Sequence, residues 1–297
     1  MTHSPRAGDE VAAQAPPPVL AMDGDELDGY SFPKNKFISM KHAAKRDSRH
    51  RSQDKVPLVL VACGSFSPIT FLHLRLFELA KDWTKYPRTE FEVVAGYLSP
   101  VGDAYSKAGL ATAKDRIHMC QLALEADADS RSSWVMVDDW EARHTEYQPT
   151  ARVLDHFNYE INTRMGGVEM PDGSRRTAKI VLLAGADLIS TMSTPGVWSQ
   201  EDLQHILGDY GAFIVERAGT NIDDALASLE KWKSNIHVIH QLIQNDVSST
   251  KIRAFLKKDM SIRYLVPQMV IEYIEKKNLY TDAQSRQAAL NGEVAAS

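Results

Sequence analysis

Cysteine is nearly absent: the 297 residues hold two, Cys63 and Cys120. Two thiols cannot build a disulfide framework, nor a zinc site by themselves. Both lie in apolar runs and are expected to be buried, in a reducing compartment. A basic excess is also missing. Lys and Arg number 34 against 39 Asp and Glu, a net charge of −5, so there is no general drive toward nucleic acid or anionic lipid. No apolar run reaches the ~18 residues of a membrane span. The first residues lack the apolar core of a secretory signal. Neither nucleic-acid nor membrane partners are expected. Two nucleotide-binding signatures are absent too, Gly-x-x-x-x-Gly-Lys-Ser/Thr and Gly-x-Gly-x-x-Gly. That argues against a P-loop NTPase and an ordinary dinucleotide dehydrogenase.

What is present reads as a globular α/β chain. Apolar runs at 56–63, 91–97, 134–137, 179–184, 211–215 and 236–240 alternate with helical patterns at 70–83, 113–126, 149–165, 200–207, 222–233, 249–257 and 267–276. Such alternation predicts a doubly wound parallel sheet covered on both faces, with C-terminal helices. Ligands then bind at the carboxyl ends of the strands, near a topological switch point. In the helix over 113–126, Ile117, Cys120, Gln121 and Leu124 are expected to share one face. Residues 1–52 look different. They carry Pro16–Pro18, an acidic run from Asp23 to Asp28, a basic run from Lys41 to Arg51, and little apolar periodicity. Most of this arm is expected to be disordered. The nucleotide-binding domain would then span 53–280 and a flexible tail 281–297. The basic run is either a nuclear-localisation signal or a solvated linker. The Gly-rich segment 166–177 is expected to be a flexible surface insertion.

Two segments carry chemistry. In the first, an apolar strand runs into Cys63-Gly64-Ser65-Phe66-Ser67-Pro68-Ile69-Thr70-Phe71-Leu72-His73. Gly64 lets backbone approach a ligand closely, and the N–H groups at the following helix start attract anions. His73 lies three residues after Thr70, on the same helix face, where it can add a donor. Its alternative is a partly buried helix residue. The second segment is Asn245-Asp246-Val247-Ser248-Ser249-Thr250-Lys251-Ile252-Arg253. Hydroxyls and free N–H groups at another helix start, followed by two cations, make a second anion site. A plain Ser-capped helix is the bland alternative. Two such sites on one sheet suggest a polyphosphate held between them.

Together these segments resemble the nucleotidyltransferase superfamily, whose His/Thr-x-Gly-His element here reads Thr70-Phe71-Leu72-His73, with Leu where Gly is usual. Further stretches narrow the resemblance to the eukaryotic, fungal-type nicotinamide/nicotinate mononucleotide adenylyltransferase family. They are Leu98-Ser-Pro-Val-Gly-Asp-Ala-Tyr105, Leu183-Ala-Gly185-Ala-Asp187-Leu188, Thr194-Pro-Gly-Val197-Trp198 and Ser261-Ile-Arg-Tyr-Leu-Val-Pro267. The match covers roughly 56–280.

The resemblance implies that Gly64, Ser65 and Phe66 line the dinucleotide site. It places His73, with Thr70, Thr250, Lys251, Ile252 and Arg253, on ATP. It puts Lys107 near both sets of phosphates, and Gly185 and Asp187 on the ribose or adenine region. Tyr147 and Trp198, beside Val197, would sandwich the pyridine ring, with Thr150 next to it; relatives often carry Trp at the position of Tyr147. Arg217 and Asn245 would complete the dinucleotide site. Taken without the resemblance, Asp187 can be a helix cap, Trp198 a core residue, and Lys107, Tyr147 and Thr150 plain surface residues.

The implied reaction is adenylyl transfer from ATP to nicotinamide or nicotinate mononucleotide, with Mg²⁺ carried mainly on ATP phosphates and no dedicated protein ligands. His73, Lys107 and Arg253 would be the catalytic residues. The alternatives are a pantetheine-phosphate adenylyltransferase or cytidylyltransferase, and a silent nucleotide-binding or chaperone-like protein. The resemblance also allows a homo-oligomer. The basic run and the missing secretory signal favour nucleus or cytoplasm.

Overall fold

The computed structural model describes residues 27–40, 55–85, 89–125, 133–216 and 222–281. The basic run from Lys41, the tail beyond Thr281 and Arg217 lie outside them. Six apolar runs form one parallel sheet. Its strands are β1 (Val56–Gly64), β2 (Phe91–Pro100), β3 (Val135–Val137), β6 (Lys179–Gly185), β7 (Ala212–Val215) and β8 (Ile236–Ile239). The two short strands β4 (Val168–Glu169) and β5 (Arg175–Arg176) pair separately. The order across the main sheet is β3-β2-β1-β6-β7-β8. The chain winds outward from β1 in one direction, then returns to β6 and winds outward in the other. The switch point therefore lies between β1 and β6, and their carboxyl ends are Gly64 and Gly185.

Both faces of the sheet are covered, so its strands are apolar on both sides. Along β1, Val59 and Val61 point into one core, and Leu58, Leu60 and Ala62 into the other. The same alternation runs along β6, with Ile180, Leu182 and Ala184 opposed to Val181 and Leu183. The helices are α1 (Phe71–Thr84), α2 (Ala113–Glu125), α3 (Trp140–Arg143), α4 (Thr150–Asn158), α5 (Ala186–Met192), α6 (Gln200–Leu203), α7 (Ile222–Ser228), α8 (Ser249–Lys257) and α9 (Gln268–Lys277). Helices α1, α2, α8 and α9 feed the second core, and α4 to α7 the first.

Several expectations need correction. Residues 27–40 do not behave as part of a disordered arm. They strap across the first core, where Phe32 and Met40 are buried and Tyr97 Oη donates to the Pro33 carbonyl at 2.7 Å. Aromatic burial supplies what periodicity did not reveal. The helix expected over 149–165 is α4 continued by a π-helix over Tyr159–Arg164, and α6 likewise passes into a π-helix over Gln204–Tyr210. Gly211 is not a strand residue. It closes that helix at φ 90°, and a Cβ there would come within 2.8 Å of the Asn235 carbonyl. Segment 166–177 is the β4–β5 hairpin, pinned by Arg175, which donates to the Met165 carbonyl at 2.7 Å and the Gly166 carbonyl at 3.1 Å. The buried face of α2 is Ala113, Arg116, Met119, Cys120 and Ala123, while Gln121 is exposed. Helices α3 and α5 were not foreseen.

Candidate active site

The turn after β1 is built to keep backbone polar groups facing a cleft. Phe66 takes a left-handed conformation, φ 45°, which costs a non-glycine residue roughly 1–2 kcal/mol. Burial of its ring against His73 offsets that cost; the rings meet edge to face at 5.3 Å. A Cβ on Gly64 would crowd the same ring at 3.2 Å. Two arginines pin the turn. Fully buried Arg116 donates to the carbonyls of Ser65 (3.1 Å), Ala111 (2.9 Å) and Gly102 (3.4 Å), and reaches Asp103 at 3.3 Å. Arg253 donates to the Ser67 carbonyl at 2.7 Å. Buried Ser67 accepts from the Ala111 N–H at 2.9 Å, and its Oγ lies 2.8 Å from Tyr280 Oη.

His73 is oriented by the start of its own helix. Its Nδ1 accepts from the Thr70 N–H at 3.0 Å and lies 2.8 Å from Thr70 Oγ1. A neutral ring therefore carries its proton on Nε2. Thr70 is fully buried. Its side chain faces His73 and not the cleft, so its effect on a nucleotide passes through the imidazole.

The second anion site lies opposite, at the start of α8. Ser248 caps the helix by accepting from the Lys251 N–H at 3.3 Å, and Ser249 Oγ donates to the Pro68 carbonyl at 2.8 Å. Ser248, Ser249 and Thr250 at this helix start line the cleft, where the first N–H groups of a helix lack i−4 carbonyl partners. Burial lowers the pKa of Arg253 from its usual value, without removing its charge in any accessible pH range.

These elements enclose a cleft of about 310 Å³ at the switch point. Its walls include Gly64, Ser65, Phe66, His73, Lys107, Gly185, Asp187, Thr250 and Arg253, nine of the residues picked from the sequence. Gly185 caps α5, and open space lies above the position of its missing Cβ. Asp187, two residues on in the first turn of α5, is exposed.

Other picked residues sit elsewhere. The Ile252 side chain is core, and its N–H is spent on the Ser248 carbonyl at 3.0 Å. Lys251 pairs with Asp246. Asn245 accepts from the Val247 N–H at 3.0 Å in a local turn. Val197 is exposed, and Trp198 donates to Thr191 Oγ1 at 3.1 Å while packing on the first core. Tyr147 is 49% exposed, and its ring stacks on Tyr105 at 6.0 Å and 29°. Its aromatic partner here is Tyr105. Thr150 begins α4, half-buried.

Five contributors were not picked as site residues from the sequence. Ser248, Ser249 and Gln241 line the cleft, and so does Cys63, which is half-buried where full burial was expected. Arg116 was missed because one arginine in a helix gives no spacing signal. Ser248 and Ser249 stood inside a quoted motif and could have been chosen as its cap.

A parallel sheet with a cleft at its switch point, walled by residues from the starts of two helices, has the layout of a nucleotide-binding α/β domain. A family model described as cytidylyltransferase-like matches residues 61–255. The nicotinamide/nicotinic acid mononucleotide adenylyltransferase of Schizosaccharomyces pombe is 50% identical over 280 residues, covering 93% of this chain and 72% of that protein. A Saccharomyces cerevisiae protein of the same name, numbered 2, is 47% identical over 89% of this chain and 64% of its own length. The Bos taurus form 1 is 40% identical, covering 77% and 91%. The Plasmodium falciparum nicotinic acid mononucleotide adenylyltransferase complexed with NaAD shares the fold, with TM-score 0.56 at 21% identity over 75% of this chain and 97% of that one. The chain belongs to the cytidylyltransferase-like family, in its branch of nicotinamide/nicotinic acid mononucleotide adenylyltransferases.

Proposed function

We propose that the chain transfers the adenylyl group of ATP to nicotinamide mononucleotide and nicotinate mononucleotide, releasing pyrophosphate and forming NAD or its deamido form. One observation carries this: the start of α1 with His73 and the start of α8 with Arg253 face one cleft at the switch point. That arrangement suits a triphosphate laid between two positive helix ends.

The acceptor phosphate is the nucleophile. Its second pKa lies near ~6, so it is an anion at neutral pH and needs no general base. It attacks the α-phosphorus of ATP in line, and pyrophosphate leaves with the bond electrons. No side-chain nucleophile is required. Catalysis then consists of positioning and charge stabilisation. The backbone of Gly64 to Phe66 would receive the reacting phosphates. His73 would donate from Nε2, the nitrogen left protonated by the Thr70 contact. Arg253 offers a planar charged fork already fixed on Ser67, and Lys107 a mobile charge from the loop after β2. Asp187 would accept from ribose hydroxyls. The cleft lining offers one carboxylate, Asp187. That donor set fits a Mg²⁺ carried in on ATP phosphates rather than one held in a protein cage. When bound, the ion neutralises phosphate charge. Tyr147 would cover one face of the pyridine ring, with Thr150 at its edge and Trp198 as the second aromatic.

The test is pyrophosphate release with ATP and Mg²⁺ against nicotinamide mononucleotide, nicotinate mononucleotide, phosphopantetheine and a sugar-free phosphate control. Product from neither mononucleotide refutes the reading. We also propose residence in nucleus and cytoplasm, supported by the basic run Lys41–Arg51. A tagged chain excluded from the nucleus would contradict it.

A further inference from the structure

Helix α3 and the loop up to Thr150 roof the end of β2, and this roof is rich in acceptors. Glu141 is 3% exposed, and its carboxyl accepts from Ser99 Oγ at 2.7 Å. Ser99 lies in register with Cys63 of β1, which lines the cleft. The loop after β2 fits closely under the roof. A Cβ on Gly102 would lie 3.4 Å from the Glu141 carbonyl and 3.5 Å from that of His144. At the tips of the two loops, Tyr105 stacks on Tyr147.

Two more acceptors in this roof are buried and have no hydrogen-bond partner among the described residues, His144 Nε2 and Gln148 Oε1. His144 Nδ1 lies 2.9 Å from the Trp140 carbonyl, so it is the donor, which leaves Nε2 as the acceptor of a neutral ring. Gln148 is 4% exposed and spends its amide donor on the Glu146 carbonyl at 3.2 Å. Buried acceptors without partners are costly, and each calls for a donor.

We propose that Glu141, supported by His144 and Gln148, sets the choice between the amide and the acid form of the acceptor ring. The proposal rests on the reading of Tyr147 and Thr150 as flanking that ring. An amide brings N–H donors to this acceptor-rich edge. A carboxylate brings only acceptors and a negative charge. The acid form is then tolerated while Glu141 is protonated and repelled once it ionises.

Burial pushes the Glu141 carboxyl up to about 8; the Ser99 hydrogen bond and the Arg116 charge pull it down, and Asp138 pushes it up. The thiol and the phenol that face it are both shifted away from neutral pH. Burial holds the Cys63 thiol well above its usual value, and Tyr147 is raised. Arg116 keeps its charge throughout. The acid-to-amide preference should therefore fall as pH rises through about 8.

The experiment measures kcat/KM for both mononucleotides between about pH 6 and 9, and takes their ratio. ATP, the 5′-phosphate and the phosphate-binding residues are common to both and divide out. In the natural chain the acid-to-amide ratio should fall about tenfold across the range, the equivalent of one pK unit of like-charge repulsion. Glu141→Gln should give a ratio independent of pH. Ser99→Ala removes a contact that favours the ionised form and should move the midpoint to higher pH. A flat ratio in the natural chain overturns the role of Glu141. So does an unchanged pH dependence in E141Q, or an unmoved midpoint in S99A. Turnover of neither mononucleotide would instead overturn the acceptor assignment, and this proposal with it.

Discussion

Replacing Arg116 by Met isolates what a buried cation contributes to the phosphate turn. Methionine fills similar volume and removes a buried charge, and swaps of that kind are often neutral when every polar partner is removed with it. Here the partners stay. The Ser65 and Ala111 carbonyls, at 3.1 and 2.9 Å, would lose a charged donor, the first in the half-buried cleft wall and the second in the dry interior. The longer contact to Gly102 and the one to Asp103, which is 65% exposed, add little. Hydrogen bonds to charged groups contribute about 1.5–3 kcal/mol each, so two of them amount to roughly 3–6 kcal/mol. That is a large part of a typical stability of about 5–15 kcal/mol. At about 2–4 °C per kcal/mol, thermal unfolding should move down by on the order of 10 °C. Activity should fall further than stability alone requires, because Arg116 joins the Ser65 peptide to the loop that carries Lys107. Arg116→Lys keeps the charge without the fork and should fall between the two. Calorimetry or thermal fluorescence checks the first part, and kcat/KM well below the transition checks the second. A shift under ~2 °C, with unchanged kinetics, would refute the reasoning.

Other outcomes follow from the same geometry. His73→Ala should lower kcat by about 10²-fold or more with little change in unfolding temperature, since it removes an aimed donor from the cleft; near-normal turnover would sink its assignment. Thr70→Val should reduce kcat less than that but move its pH profile, because the imidazole loses a contact at Nδ1; an unmoved profile would count against this orienting role. Arg253→Lys should raise the KM for ATP more than that for the mononucleotide, as the fork on Ser67 is lost; equal effects on both would contradict the assignment. His237 lies among Trp83, Phe91 and Phe213, and burial, aided by the Lys179 charge, lowers its pKa to about 4. The folded value lies below the unfolded one, so the unfolded chain binds the proton first and stability drops as pH falls from about 6.5 toward 4. His237→Leu should flatten that acid limb, as measured by denaturant melts at pH 7 and 4.5.

How much of this was legible in the sequence depended on local regularity. The six strands of the main sheet and the phosphate turn could be read because a two-sided parallel sheet demands unbroken apolar runs and a close backbone approach demands glycine. Segments whose order comes from distant contacts could not. Tyr30 shows this best: its hydroxyl donates to Asp138 at 2.8 Å and lies 2.9 Å from His156, residues far along the chain. Helix α5 was missed because it starts directly at the end of β6, with Gly185 as its cap and no separating turn. At the acceptor end, the pairing of Tyr147 with Tyr105 needed coordinates, since the two lie in different loops. Glu141 was unremarkable until its burial beside Ser99 was seen.

The strap over 27–40 changes how the basic run after it is to be understood. Met40 is fully buried in the first core, and Val56 opens the central strand pair. The run from Lys41 to Arg51 is thus moored to folded protein before and after. A receptor that recognises these cations would have to take them from a tethered span, not from a loose end. Its reach is bounded by the chain between the two moorings, at most ~3.3–3.6 Å per residue. Any pull strong enough to draw it out further would act on the hydrophobic core itself.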